Sequence, residues 1–246
     1  MSQLIDVEAA KEFMKETLSR VSREELVSIA ADLELKSKLF QQRLHPDHIN
    51  QLTDFEVEEI LRSVFATRRR CKEILEAYPH QKLKASIKNL LYGPGKIEDR
   101  FQEFVNSLDD LEHPSLKTEL AGEILHFTNP DLYWLWGRWM WDAKKKTGAI
   151  PLVTSEEFDL QGETEGEVYM KVGNGVAFVH SIAEAADFQF ISRSLFGTDV
   201  FLSCVYVVYA YTVLRMRMTQ EFNKVMPGLP EFTRRLLGVL KLPQAA

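Results

Sequence analysis

SREELVSIAADLELKSKLF, residues 22–40, decides the fold class. Ser22 and Glu25 have the S-x-x-E spacing of a capping box, and Val21 and Leu26 flank them as a hydrophobic staple. Behind them Leu26, Ile29, Ala30 and Leu33 recur at helical spacing, and the apolar stripe continues to Leu39 and Phe40. TDFEVEEILRSVFATRRRCKEILEAY, residues 53–78, repeats the signature. Thr53 and Glu56 cap it, and Val57, Ile60, Leu61, Val64 and Phe65 follow. The pattern predicts one helix reaching Tyr78, where Pro79 stops it.

Working outward, helices are predicted over Lys82–Leu91, before Gly93-Pro94-Gly95, over Ile97–Leu108, and over Leu116–Phe127 after Pro114. Asn129 reads as a cap and Pro130 as a first helical residue. DLYWLWGRWMWDAKKK, residues 131–146, is therefore expected to be a helix ending near Gly148. Lys144, Lys145 and Lys146 would complement its dipole. The texture changes near Ile150. Ser155–Glu167 holds six acids and no Lys or Arg, which reads as an exposed acidic loop. VYMKVGNGVAFVHSI, residues 168–182, fits a β-hairpin about Gly173-Asn174-Gly175, and a glycine-interrupted helix nearly as well. Thr198-Asp199 would cap a long helix through Met218, Pro227-Gly228 would break it, and a last helix would run from Pro230 to Leu240.

The expected fold is mainly α, a compact multi-helical domain with a short β-hairpin or irregular acidic insert near residues 150–180. Residues 1–148 form a helical bundle region. Residues 149–246 add the acidic insert and two C-terminal helices, both parts sharing one core.

The composition is that of a globular chain: 246 residues, 45% hydrophobic and 27% charged, with a net charge of −6. It excludes disordered and collagen-like classes. Cys71 and Cys204 are too few for a disulfide framework, so a reducing, cytoplasmic setting is expected. The longest apolar run, Val200–Leu214, is shorter than a membrane span needs. It reads as a buried helix, and no membrane insertion is expected.

Three constellations could carry chemistry. The first is charge: Ile60–Lys96 holds nine Lys and Arg against Glu73 and Glu76. Arg62, Arg68, Arg69, Arg70 and Lys72 form its densest part, a stripe able to attract phosphates or an acidic protein surface; the plain reading is a solvated helix face. The second is aromatic: Tyr133, Trp134, Trp136, Trp139 and Trp141 include every tryptophan, and Trp134, Arg138 and Trp141 would share one helix face. Core packing is the first reading and a partner surface the second. The third is Glu123-x-x-His126, half of the ligand pattern of di-iron carboxylate bundles. His180 and Glu184 could complete a metal set, and His45 with His48 is another pair. The ordinary reading is a hydrogen-bonded histidine beside the core. No dinucleotide fingerprint, phosphate loop or nucleophile elbow is present. Cys71 lies among basic residues that would activate an exposed thiol, but its apolar neighbours read as burial.

LAGEILHFTNPDLYWLW, within Leu116–Asp142, is similar to a stretch of helix-hairpin-helix DNA glycosylase-like proteins, where a helix ending L-H-F precedes N-P and an aromatic helix. The family's glycine-rich hairpin is replaced here by LEHPSLKTEL, its catalytic lysine has no matching position, and Asp142 is a loose match to its aspartate. The resemblance implies an all-helical packing of this region without the chemistry. The function expected from the whole sequence is a soluble accessory or binding protein, with an acidic protein partner and no cofactor. A metal-dependent enzyme using Glu123 and His126, and a nucleic-acid binder using residues 62–96, are the alternatives.

Overall fold

Side-chain caps start several of the helices. Asp6 accepts Ala9 N–H at 2.9 Å and opens α1, Val7–Leu18; Ser22 accepts Glu25 N–H at 3.2 Å and opens α2, Arg23–Arg43. Thr53 and Glu56 cap each other reciprocally at the head of α3, Asp54–Ser63. There follow α4 (Cys71–Ala77), α5 (His80–Tyr92), α6 (Ile97–Ser107), α7 (Pro114–Thr128), α8 (Glu165–Ser181), α9 (Leu195–Arg217) and α10 (Leu229–Leu236). This computed structural model describes residues 5–108, 114–217 and 227–240. Among the described residues the architecture is mainly helical, with no sheet.

α2, α7 and α9 lie at the centre: α2 packs on both α7 and α9, α1 and α10 cover α9, and α7 reaches across to α5 and α6, with α8 on α6. Buried side chains from Ile5 to Val239 form one connected cluster. The apolar segment Leu195–Val213 of α9 is long and apolar enough to cross a membrane, and 72% of it is buried within the molecule as a central helix. Arg100, itself buried, donates to Leu90 O at 2.8 Å and Leu91 O at 2.9 Å, satisfying carbonyls at the end of α5.

Four expectations are corrected. The helix read through Thr53–Tyr78 breaks at Val64, which is extended, and restarts at Cys71. Thr67 Oγ1 donates to Leu61 O at 2.6 Å, so a side chain of the turn takes a carbonyl of α3 that the helix would otherwise have used.

The hairpin of residues 168–182 is helix α8. Its glycines serve close approach instead of a turn: a Cβ on Gly166 would fall 2.1 Å from Glu98 O, and one on Gly173 2.2 Å from the Trp134 ring. The acidic stretch before it is irregular, as expected, and is tied down by an ion pair of Asp159 with Lys171.

The aromatic helix of residues 131–146 does not form. Asn129-Pro130 starts a single turn, with Leu132 N–H and Tyr133 N–H both on Asn129 O, and the chain then runs irregularly. A straight helix would point these aromatics around its whole circumference. The irregular path buries Leu135, Trp136, Trp139, Met140 and Trp141 together. Trp134 and Trp141 therefore share no helix face, and Trp134 packs edge-on to Tyr169. Lys144, Lys145 and Lys146 sit at the exposed tip of a tight turn closed by Asp142 N–H on Thr147 O at 2.7 Å, not at a helix end.

Finally, Thr198 and Asp199 lie inside α9, which begins at Leu195; residue 218 and the eight that follow it, where its end was expected, lie outside the described residues.

Candidate functional site

Two arrangements emerge where the sequence pointed: a buried charge cluster on α7 and a basic corner between α3 and α4.

Glu119, Glu123 and His126 share one face of α7 by their spacing, and all three are buried. Lys36 enters from α2 with its side chain fully shielded from water. Its ammonium pairs with Glu123, donates to Leu237 O at 2.9 Å and lies 4.2 Å from the centre of the Phe127 ring. Burial pushes the Lys36 amine down and the Glu123 carboxyl up, each opposed by the other's charge. His126 Nε2 lies 2.7 Å from Asp199 Oδ2, and its Nδ1 lies 2.9 Å from Tyr133 O. Burial pulls the imidazole pKa down, but the Asp199 charge and hydrogen bond, with Tyr133 O and Glu123, raise it overall. Burial pushes the Glu119 carboxyl up to about 7, against the opposing charge of Arg138.

The alternative metal set of Glu123, His126, His180 and Glu184 is not brought together in this geometry. Both ring nitrogens of His126 face protein acceptors, and Glu123 is held by Lys36. His180 Nδ1 bonds to Thr198 Oγ1 at 2.8 Å, and Glu184 is exposed beyond the end of α8. His45 lies 3.5 Å from Asp47, and His48 bonds to Glu56 at 3.0 Å. Among the described residues, no group of three His, Cys, Asp or Glu side chains is placed to hold a metal ion. Asp142, the loose match to the glycosylase-like aspartate, accepts Lys145 N–H at 3.0 Å within its own turn.

The basic stripe is not a helix face. Arg68, Arg69 and Arg70 fall on the turn between α3 and α4. Arg62 Nε donates to Glu58 at 2.8 Å, and Arg70 pairs with Glu73 at 3.0 Å. Lys84 lies 3.9 Å from Asp54 and Lys96 3.3 Å from Glu98. Glu58 and Asp54 of α3 thus neutralise part of the stripe. Arg69 and Lys72 remain exposed with no ion pair among the described residues, while Arg68 is half-buried. Phe65, on the same turn, is 42% exposed. Arg138 is exposed, and Trp141 is buried. Cys71 is buried, and burial raises its thiol pKa, so the surrounding arginines do not activate it.

Sequence reasoning missed Lys36, Asp199 and Glu119. Lys36 carried a signal: it stands three residues after Leu33 and four before Phe40, on the buried stripe of α2, where a lysine requires a partner. Asp199 was read as a helix cap, and only the packing of α9 on its neighbours brings it to His126. Compared with protein-family models, curated proteins and solved structures, the chain matches none.

Proposed function

We propose that this chain is a helical accessory protein that acts through protein–protein contacts, using the corner between α3 and α4 to dock an acidic partner surface. The observation that carries the reading is the Phe65, Arg69 and Lys72 trio: an exposed aromatic residue and an exposed cation on the turn between α3 and α4, and a second exposed cation in the first turn of α4. Aromatic and arginine side chains are enriched at protein interfaces, where the ring supplies apolar area and the cations complement acidic groups. Glu123 and His126 of α7 favour the same reading, since each is engaged inside the core, with Lys36 of α2 and Asp199 of α9.

An acidic protein surface fits better than nucleic acid. Arg62 and Arg70 are already paired with neighbouring acids, so the corner lacks the long phosphate track of a nucleic-acid site. The test places a photo-crosslinking residue at Phe65, and at Phe178 as a remote control, with and without Arg69→Glu and Lys72→Glu. The expected result is a protein adduct formed at position 65 alone and lost on charge reversal. Tight duplex or single-strand binding at physiological salt, abolished by the same reversal, would overturn the reading in favour of nucleic acid.

A further inference from the structure

We propose that His126 is a buried imidazolium that latches the aromatic segment after α7 onto α9, and that loss of its proton frees the Tyr133 end of that segment. Tyr133 O, 2.9 Å from Nδ1, is a peptide carbonyl, and Asp199 Oδ2, 2.7 Å from Nε2, belongs to a carboxylate. With Asp199 ionised both are acceptors only. Two such bonds require two ring N–H groups, which only the cationic imidazole has.

Burial opposes that charge, and the anions and acceptors around the ring outweigh it. Asp199 faces the ring from α9, and Glu123 and, further along, Glu119 lie on α7 itself. Lys36, from α2, acts on Asp199 and is held by Glu123, while Arg68 acts on Lys36 from the α3–α4 corner. The Phe127 and Phe196 rings contact the imidazole edge-on, 5.0 and 5.4 Å between centroids, and bring no charge. Lys36 and His126 against Glu123 and Asp199 make a neutral set of four. A neutral His126 would leave that set with one uncompensated anion in the core.

Deprotonation has a direction. The charge-assisted bond to Asp199 is the stronger, so the remaining hydrogen stays on Nε2 and the proton from Nδ1 passes to solvent. The Nδ1 lone pair then faces the lone pairs of Tyr133 O, and that contact opens. Tyr169 O–H on Trp134 O at 3.2 Å and Arg100 on Tyr133 Oη at 3.2 Å still hold the neighbouring groups, so the release is local. The sign follows from the raised folded value: the latch is fully closed below the ordinary histidine range and opens as pH rises through the raised value.

All four tryptophans lie in residues 134–141, so fluorescence reports on the segment. The test uses the full chain with ring-15N histidine, titrated from pH 6 to 9 by NMR, alongside tryptophan fluorescence and amide exchange at Tyr133 and Trp134. The expected result is a doubly protonated His126 at pH 7, deprotonation at higher pH, and a fluorescence and exchange change with the same midpoint. Asp199→Asn should move that midpoint down by at least one pH unit. A neutral ring at pH 7, including a state in which Asp199 carries the proton, would overturn the proposal. So would a tryptophan signal that stays flat while the ring titrates. If Asp199→Asn does not fold, the two wild-type readouts decide alone.

Discussion

Lys36 and Glu123 form an ion pair inside the core, joining α2 to α7, and the same ammonium holds the carbonyl at the end of α10. Three helices distant in sequence thus meet on one nitrogen. Such a pair contributes little net stability over an apolar replacement, because both charges lost their hydration, but either charge left alone is costly.

Lys36→Met is therefore expected to destabilise the protein by about 3–5 kcal/mol, because it strands the Glu123 carboxylate. Adding Glu123→Leu should recover most of that loss, since both buried charges are then gone. Urea unfolding of the two single variants and the double variant measures the cycle. A double variant as unstable as the sum of the singles would show that the pair is not the unit described here.

Glu119 predicts a pH dependence of its own. Burial raises its carboxyl from 4.5 to about 7, so the folded state binds its proton more tightly than the unfolded chain does. A raised folded value gives stability that is present below the unfolded pKa and lost as pH rises through the folded one. The shift corresponds to about 3 kcal/mol. Glu119→Gln, which keeps the shape and cannot ionise, should match the wild type near pH 4 and exceed it in stability at pH 8. Equal melting temperatures at pH 8 would contradict the burial argument.

The helices were legible where the local signal agrees with the tertiary need. Ser22, Thr53 and the periodic apolar residues behind them report on their own turn of chain, and the structure uses them as read. The break at Val64 was not legible, because the Leu61 carbonyl is taken by the Thr67 hydroxyl, a bond that apolar periodicity does not report. The candidate site shows the same division. Glu123 and His126 were visible as a pair on one face of a helix, but their chemistry is set by Lys36 and Asp199. A spacing of 87 residues from Lys36 to Glu123 and 73 from His126 to Asp199 leaves no local pattern. Glycine misled in α8 for a related reason: an absent side chain marks a turn and a close helix contact equally well.

The aromatic segment gives the sharpest separation between the local reading and the folded chain. Were residues 131–146 a helix lying apart from α7, Gly122 would be an ordinary helical glycine, and Gly122→Ala would stabilise the protein by about 1 kcal/mol through helix propensity. In the structure a Cβ at Gly122 would fall 2.7 Å from Trp136 O and 3.1 Å from Trp136 N. These are backbone atoms, fixed further by Trp136 Nε1 donating to Trp141 O at 3.1 Å, so they cannot swing aside. Gly122→Ala is therefore expected to destabilise by about 1–3 kcal/mol, as overpacking does, and to shift the tryptophan emission. Gly175→Ala is the control, because its Cβ would meet only side-chain atoms, the closest being Ile150 Cγ2 at 3.1 Å. That substitution should be near neutral or stabilising. Thermal melts of the two variants decide the matter, since a stabilised Gly122→Ala would mean that the segment does not press its backbone against α7.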